Sequence, residues 1–298
     1  MKKEVSVVIV SFNTASILRA CILSLLQYMP QSIVYEIIVV DNNSRDDTVS
    51  MIKREFSDVV LIQNKENLGF SKANNMGIHV AQGNYILFLN PDTEFIQGGF
   101  SKLLTYLDKN NDVGALTGKV RLPDGQLDDA CHRGFPTPWN SFCHFSGLSK
   151  LFPHSKIFAG YTLGWMDLNK IHQIDACSGA FMLVRYSTGL KLQWWDEDFF
   201  WYGEDLDFCY RLKENHWKLI FVPEFEILHL KGVSGGLKTI SKHVTTADKS
   251  TKIRATNARF EAMRIFYKKH YLNTYPIFIT WLVMQGIAFK LRLSKRKI

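Results

Sequence analysis

The chain has 298 residues, of which 46% are hydrophobic and 13% aromatic, enough for the core of one large domain or two modest ones. Its five cysteines are scattered without a CxxC pair, which argues against a disulfide framework and a zinc site and predicts a reducing compartment. The net charge of +8 is unevenly distributed. Residues 231–298 contain fifteen Lys and Arg and two acidic residues, so this part is strongly basic. Residues 1–230 contain twenty-one Lys and Arg and twenty-six acidic residues, so this part is mildly acidic. Such asymmetry indicates an anionic partner, either a membrane or nucleic acid.

Apolar runs of strand length alternate with segments of helical periodicity in the first 118 residues. Strands are predicted at 5–10, 36–40, 59–63, 85–89 and 113–117. Helices are predicted between the first four of these strands and at about 100–107. On the third helix, Ala73, Met76, Gly77 and Val80 are expected to face inwards. This alternation predicts right-handed βαβ crossovers, and hence a mostly parallel α/β sheet with helices on both faces.

The second half of the chain has a less regular pattern. A hairpin or loop is expected at 119–129, and an aromatic-rich excursion without clear periodicity at 131–171, which is either a binding region or satellite packing against the sheet. Strands at 181–184, 219–222 and 227–230 and helices at 203–212 and 254–270 are predicted. The polar stretch 231–251 has the composition of a mobile loop.

Polar side chains follow several of the predicted strands. Ser11 and Asn13 come after the first strand, Asp41 ends the second, and Asn90 and Asp92 follow the fourth. Because the carboxyl ends of parallel strands share one edge of a sheet, these residues should converge there. Their oxygens suit Mg²⁺ or Mn²⁺ bound to phosphates, although Asn-Pro-Asp is also common turn chemistry.

Nucleotide recognition is expected at the same edge. Asp41 can accept a hydrogen bond from a base N–H, while Asn13 and turn amides can hold sugar or phosphate. The helix start at 69–71 is a further place for an anion. The chain contains neither GxGxxG after the first strand nor GxxxxGK[ST], which argues against dinucleotide and P-loop binding.

A second cluster combines Glu204, Asp205 and Asp207 with His229. Repulsion between neighbouring carboxylates and burial raise a pKa, so one of them could act as a general base near neutral pH. Acidic residues also suit a helix N-terminus for purely structural reasons. His229 is either a metal ligand or a hydrogen-bonded core histidine.

Taken in order, these motifs resemble the family 2 glycosyltransferases of the GT-A fold, especially bacterial rhamnosyltransferase-like members. The resemblance covers about residues 5–235. It rests on the segments VSVVIVSFN (5–13), IVVDNNS (38–44), NLGFSKANNMG (67–77), LFLNPDT (87–93), SGA (178–180) and GEDLD (203–207), and on His229.

The resemblance implies an inverting enzyme that uses a nucleoside-diphosphate sugar and Mg²⁺ or Mn²⁺. Asp205 would be the catalytic base beside Glu204, and Asp92 and His229 would bind the metal. Many members have Asp at the position of Asn90, so this chain has one charge fewer there. The residues expected at the nucleotide sugar are Ser11, Asn13, Asp41, Asn67, Gly69, Asn74, Asn90, Ser178 and Gly179.

The domain organisation follows from the same resemblance. Residues 1–230 would form the GT-A domain, with a nucleotide-sugar half at about 1–118 and an acceptor half at 119–230. Residues 231–298 would form a loop, which could close over the donor, and a C-terminal helical region.

The C-terminal region also suggests a location for the protein. The segment 276–289 is apolar, carries Trp281 and precedes a basic cluster, but it is shorter than the roughly 20 residues of a membrane span. It predicts peripheral attachment to the inner face of the plasma membrane, near a lipid-linked saccharide acceptor; packing on the domain is the alternative. The first residues lack the apolar run of a secretory signal, so a cytoplasmic protein is expected.

The predicted function is transfer of a sugar, with rhamnose as one candidate, in cell-surface polysaccharide synthesis. The alternative is a catalytically silent saccharide- or lipid-binding module on the same fold, since a fold does not by itself establish an activity. Nucleic-acid binding by the basic tail is a third and less favoured interpretation.

Overall fold

The computed structural model describes residues 3–232, 236, 245 and 247–296. Most of the loop predicted at 231–251 therefore lies outside the described residues. The strands are β1 Val5–Ser11, β2 Tyr35–Asp41, β3 Val60–Gln63, β4 Tyr85–Leu89, β5 Thr93–Gln97, β6 Val113–Arg121, β7 His172–Ile174, β8 Phe181–Arg185 and β9 Lys218–His229. The helices are α1 Ala15–Tyr28, α2 Thr48–Glu55, α3 Phe70–Val80, α4 Phe100–Lys109, α5 Pro138–Ser146, α6 Leu148–Leu151, α7 Tyr186–Lys191, α8 Glu204–Glu214, α9 Lys249–His270 and α10 Ile277–Lys295.

These strands form one sheet in the order β3-β2-β1-β4-β8-β6-β9-β5, with β7 paired to β9. The four strands β3, β2, β1 and β4 are parallel, as predicted. Strand β8 is antiparallel to β4 and β6, whereas β9 is parallel to β6. Among the described strands only β5, β7 and β8 run against the others, so the predicted mostly parallel α/β sheet is confirmed.

The second half of the sheet differs from the sequence prediction in detail. The strands predicted at 219–222 and 227–230 are one strand, β9, and its pairing with β6 shifts between Gly118 and Lys119. Residues 223–225 form the irregularity, and Pro223 stands at its start, because a proline cannot donate to the ladder and is tolerated at a bulge. Strands β5 and β7 and helix α7 were not predicted.

The sheet is buried on both faces by alternating side chains. On β1, Val7 and Ile9 belong to one apolar cluster with α1 and α4, while Val8 belongs to the opposite cluster with α3 and α8. Helix α3 lies so close that a Cβ on Gly77 would be 2.6 Å from Val8 Cγ1. The inward face of α3 is formed by Ala73, Gly77 and Ile78, and the prediction for Val80 was wrong, since 41% of it is exposed.

The aromatic excursion contains helices that the periodicity did not reveal. Helix α5 starts at Pro138, and the side chain of Thr137 accepts a hydrogen bond from the Asn140 amide, a recognisable helix start. The short helix α6 follows after Gly147, which has φ 87°. The excursion is therefore an ordered helical layer beside the sheet.

The C-terminal helices extend the domain on the same side as α3 and α8. Helix α9 packs on α8 and starts at Lys249, five residues earlier than predicted, with Asp248 accepting from the Thr251 amide. Helix α10 packs on α9 and runs beyond the predicted apolar segment to Lys295. Its 19 residues and mean hydropathy of 1.3 meet the length and composition of a membrane span.

Asp207 connects α8 to α9 through a buried charge network. Its carboxylate, with no exposed surface, accepts hydrogen bonds from Arg211 (2.7 Å), Lys269 (2.7 Å) and His270 (2.8 Å). Burial opposes ionisation, but these three partners outweigh it and lower the pKa of Asp207 to about 2. The residue is therefore a charged structural link between α8 and α9, and its three partners do not include the predicted companion His229.

Replacing Asp207 with Ala should lower the free energy of unfolding by about 3–5 kcal/mol, because it removes the buried carboxylate that Arg211, Lys269 and His270 contact, and the largely buried Arg211 guanidinium loses its ion pair. Urea unfolding followed by circular dichroism measures the change. Asp167→Ala, which removes an exposed pair with Lys170, should change stability by less than about 1 kcal/mol. Equal effects of the two substitutions would contradict this assignment.

Candidate active site

The ends of β1 and β2 bring Ser11 and Asp41 side by side, since the two residues are paired in the strand register. Asp41 is buried; its Oδ2 accepts from the Ser44 amide at 2.9 Å, whereas Oδ1 has no hydrogen-bond partner among the described residues. Asn13, at φ 54°, accepts from the Arg45 amide through Oδ1. Asp41 therefore keeps one acceptor for a ligand N–H, while Asn13 also shapes the turn.

The start of α3 is held against the loop that precedes α8. Gly69 has φ 84°, and a Cβ there would lie 2.4 Å from the carbonyl oxygen of Phe200. That carbonyl accepts from the Phe70 amide at 2.8 Å. The predicted ligand residues Asn67 and Asn74 both bond locally, to the Gly69 amide and the Phe70 carbonyl. This close approach explains why residue 69 is a glycine, and it fixes the loop before α3 against the loop before α8.

Two buried oxygen atoms at the end of β4 have no hydrogen-bond partner in the described part of the chain. They are Asn90 Oδ1 and Ser178 Oγ. The two segments are adjacent, because the Asn90 amide donates to the Ala180 carbonyl at 3.1 Å. A Cβ on Gly179 would lie 3.3 Å from the Phe70 ring, so the backbone approaches closely here. A sugar hydroxyl or phosphate oxygen could satisfy such groups.

Asp92 and His229 form the pair predicted to bind metal. The imidazole Nε2 lies 3.3 Å from Asp92 Oδ1, and Nδ1 donates to Asp128 Oδ2 at 2.9 Å. Lys231 also pairs with Asp128. Burial opposes the protonated imidazole, but the charges of Asp92 and Asp128 outweigh it and raise the pKa of His229 to about 9. A carboxylate behind a histidine fixes the orientation of a metal ligand, so Asp128 is a supporting residue that the sequence analysis missed.

The donor atoms of this pair suit a divalent cation with an incomplete protein shell. A metal ion would take the place of the proton on His229 Nε2, which faces Asp92 Oδ1 at 3.3 Å, and a carboxylate with an imidazole is acceptable to Mn²⁺ and Mg²⁺. No group of three or more His, Cys, Asp or Glu side chains is placed to hold a metal in the parts of the chain that are described. A bound cation would therefore need further oxygens from a ligand.

The second predicted centre lies at the start of α8. Asp205 Oδ2 accepts from Arg133 Nη2 at 2.8 Å, and its Oδ1 accepts from the Leu206 amide at 2.7 Å. Arg133 is buried and also donates to the hydroxyl of Tyr161 at 3.3 Å. The sequence analysis missed Arg133, because a lone arginine in an aperiodic stretch gave no signal. It holds the predicted base in one orientation.

Glu204 differs from its neighbour in that no ion pair joins it to a cation within the described part of the chain. It is 7% exposed, and its Oε2 has no hydrogen-bond partner among the described residues. Burial and the adjacent charge of Asp205 raise the pKa of Glu204 to about 8. Burial also raises the pKa of Tyr202 to about 12, and the charges of Glu204 and Asp92 act on it in the same direction. The Tyr202 hydroxyl therefore responds to the charges of both Glu204 and Asp92.

Sequence comparison assigns a family to this arrangement. The family model described as "Glycosyl transferase family 2" matches residues 6–167. Over 230 residues the chain is 28% identical to N-acetylglucosaminyl-diphospho-decaprenol L-rhamnosyltransferase of Mycobacterium tuberculosis, covering 73% of each protein. It is also 28% identical to rhamnosyltransferase WbbL of Escherichia coli, over 54% of this chain and 60% of that protein. The rhamnosyltransferase-like resemblance is confirmed.

Solved structures show the same fold at low sequence identity. GalNAc-T7 with UDP, GalNAc and Mn²⁺ matches with a TM-score of 0.58 and 18% identity, over 76% of this chain and 44% of that one. Staphylococcus aureus TarS 1–349 matches with a TM-score of 0.55 and 13% identity, over 90% and 75%. These matches confirm the predicted GT-A fold.

The raised pKa of Glu204 makes stability depend on pH. Its folded pKa of about 8 exceeds the ordinary value of 4.5, so its favourable contribution is complete below pH 4.5 and is lost as pH rises through 8. Glu204→Gln should therefore resemble the parent chain at pH 4.5 and be more stable by a few kcal/mol at pH 9, since one pKa unit corresponds to about 1.4 kcal/mol.

Urea unfolding at the two pH values measures this difference. Glu214→Gln, an exposed change in the same helix, is the matched control and should show no such trend. A stability difference between Glu204→Gln and the parent that is the same at both pH values would contradict the burial of an unpaired carboxyl group.

Proposed function

Since the chain belongs to glycosyl transferase family 2, we propose that it is an inverting enzyme moving a sugar from a nucleoside-diphosphate donor to a saccharide acceptor. The observation that carries the proposal is the buried Asp92–His229 pair, whose Oδ1 and Nε2 lie 3.3 Å apart, together with the Glu204–Asp205 pair in the first turn of α8. One pair can hold the diphosphate through a cation and the other can remove a proton. An inverting displacement needs these two functions on opposite sides of the anomeric carbon.

The donor would lie along the edge formed by the ends of β1, β2 and β4. The free Oδ1 of Asp41 would accept from a base N–H, while Asn90 and Ser178 would meet sugar or phosphate oxygens. Asp92 and His229 would hold Mg²⁺ or Mn²⁺, which supplies charge neutralisation at the leaving diphosphate. The GalNAc-T7 structure contains UDP and Mn²⁺, which is consistent with a nucleoside diphosphate and a divalent cation as ligands.

Asp205 is proposed as the base. The acceptor oxygen attacks the anomeric carbon, the bond to the diphosphate oxygen breaks with its electron pair, and the hydroxyl proton passes to the Asp205 carboxylate. Arg133 holds the Asp205 carboxylate in one orientation through its 2.8 Å contact. With a pKa of about 8, Glu204 is mostly neutral at pH 7, so it adds little competing charge beside the base.

The names of the relatives guide the choice of substrates. The M. tuberculosis relative is a rhamnosyltransferase whose name specifies a polyprenyl diphosphate acceptor. We therefore favour rhamnose or another hexose as the transferred sugar and a lipid-linked saccharide as the acceptor, in cell-surface polysaccharide synthesis on the cytoplasmic side. Helix α10, with its exposed Trp281 and its basic end, would hold the chain on the anionic membrane surface. Equal flotation with neutral and anionic vesicles would contradict that attachment.

Asp92→Ala should abolish the Mn²⁺-dependent part of nucleoside-diphosphate binding, because it removes the carboxylate paired with His229 Nε2. Asp128→Asn should weaken that binding less, by about 10- to 100-fold, because it leaves both ligands in place and only loosens the orientation of the His229 ring. Calorimetry with UDP and dTDP, with and without Mn²⁺, measures both. Asp124→Asn, an exposed change in the nearby hairpin, is the control. Unchanged affinity in Asp92→Ala would exclude the proposed metal pair.

Asp205→Asn is nearly isosteric and should preserve folding and donor binding while removing proton abstraction. We expect kcat to fall on the order of 10²–10⁴-fold, as for loss of a general base. Initial rates with a panel of nucleotide sugars and saccharide acceptors, in the presence of Mn²⁺, measure it. Glu204→Gln should affect kcat less, and the opposite result would exchange the two roles.

The same assay separates the enzyme from a silent binding module. Asp92, Asp205 and His229 are all present, which favours the enzyme. If the parent chain binds a nucleotide sugar with Mn²⁺ but neither transfers nor hydrolyses any member of the panel, the module interpretation replaces the proposal.

A further inference from the structure

Aromatic and aliphatic side chains project into solvent from the α5–α6 layer. Their exposed fractions all reach at least 45%. Six residues define this aromatic patch: Trp139, Phe142, Phe145, Leu151, Phe152 and Ile157. The rings contact each other, with Trp139 to Phe142 at 5.8 Å between centroids, and Phe158 connects Trp139 to Phe152. Soluble surfaces seldom display so many adjacent large apolar groups without a partner.

Helix α10 continues this apolar surface. Its outward side chains Phe278, Trp281, Leu282 and Phe289 are each more than half exposed, whereas the opposite side of the helix packs against α9. Lys290 Nζ lies 3.4 Å from the centroid of the Phe145 ring. This contact joins α10 directly to the aromatic patch, so the two form one surface.

The charges around this surface have one sign. No aspartate or glutamate occurs in residues 130–166 or 262–298. Exposed cations flank the apolar groups: Lys150, Lys156, Arg292, Lys295 and Arg296. Two copies of such a surface would repel each other, whereas anionic lipid headgroups would attract it, with about 1 kcal/mol for each basic residue near the surface.

The patch is also coupled to the active site. The inward side of α5 carries His144, whose ring lies 5.0 Å from that of Tyr161. Tyr161 in turn accepts a hydrogen bond from Arg133, the partner of Asp205. The layer that presents the aromatic patch is therefore packed against the residues that orient the proposed base.

We propose that the α5–α6 aromatic patch and the outer face of α10 together form one docking surface for an anionic lipid bilayer. Aromatic rings would enter the interface, where tryptophan is favoured, and the cations would lie among the headgroups. Helix α10 then lies along the bilayer with the catalytic domain instead of acting as an independent tether. The inference extends the proposed action on a lipid-linked acceptor, since it would present the acceptor side of the site to the membrane.

Vesicle flotation of the full chain tests the proposal, using phosphatidylcholine vesicles with and without phosphatidylglycerol. Trp139→Ser/Phe142→Ser leaves α10 intact and should reduce partitioning onto anionic vesicles about tenfold or more, the loss of roughly 1.4 kcal/mol. Trp281→Ser/Phe289→Ser should reduce it similarly. The control Leu23→Ser/Leu190→Ser alters exposed leucines on α1 and α7, away from the patch, and should bind as the parent does.

A second measurement distinguishes insertion from indirect effects. Brominated lipids should quench tryptophan fluorescence of the parent more than that of Trp139→Phe, which keeps an aromatic ring. Parent-like flotation of Trp139→Ser/Phe142→Ser, or equal quenching, would overturn the role of the patch. If the parent chain is a dimer and the same substitutions convert it to a monomer, the patch is a self-association surface and the proposal is overturned. Neither assay contains a sugar donor, so both test membrane binding alone. If only the sugar-transfer proposal fails, the protein will still float with the vesicles but will show no turnover in the transfer assay.

Discussion

Both faces of the central sheet are covered, and this burial determines where the chemistry can occur. Along β1 the side chains of Val7, Val8 and Ile9 alternate between two apolar clusters, and all three are fully buried. A polar ligand-binding group cannot remain inside such a strand without a partner. Polar side chains therefore appear where the strands end, at Asp41 and Asn90, and the unpartnered oxygens of the site lie there.

Buried acidic groups at this end of the molecule are balanced individually. Asp207 is paired with cations from α8 and α9, Asp128 with His229 and Lys231, and Asp205 with Arg133. Glu204 has no equivalent partner, and its raised pKa is the result. The pairing divides the acidic motif of α8 by role. Asp207 stabilises the contact between α8 and α9, Asp205 is paired with Arg133 at the site, and Glu204 is the carboxyl group whose pKa is raised.

The sequence predicted the parts of the structure that depend on local pattern. The parallel strands, the edge that collects Ser11 and Asp41, and the helix beginning at Glu204 all have clear apolar periodicity or end in turn residues. It did not predict β5 or β7, because three to five residues that pair antiparallel with β9 lack a periodicity of their own. Strand β9 was divided in two because Pro223 is normally a sign that a strand has ended.

Supporting residues were missed for a different reason. Asp128 and Arg133 stand in a hairpin and an aperiodic excursion, and their significance comes only from side chains distant in sequence. The contact from Asp128 reaches His229 on β9, and the contact from Arg133 reaches Asp205 on α8. Single-sequence reasoning can rank a histidine or a paired acid as a ligand, but it cannot identify the group that orients it.

The aromatic excursion bears on two interpretations that the sequence left open. Satellite packing accounts for Phe135, which is buried and contacts Tyr210, and for the inward His144. It does not account for Trp139 and Phe142, which point away from the sheet and are about half exposed. This outward apolar surface, with no acidic residue in 130–166, is the basis of the proposed docking on an anionic bilayer. The same layer orients Arg133, so contact with the outer partner and alignment of Asp205 depend on one set of packed side chains.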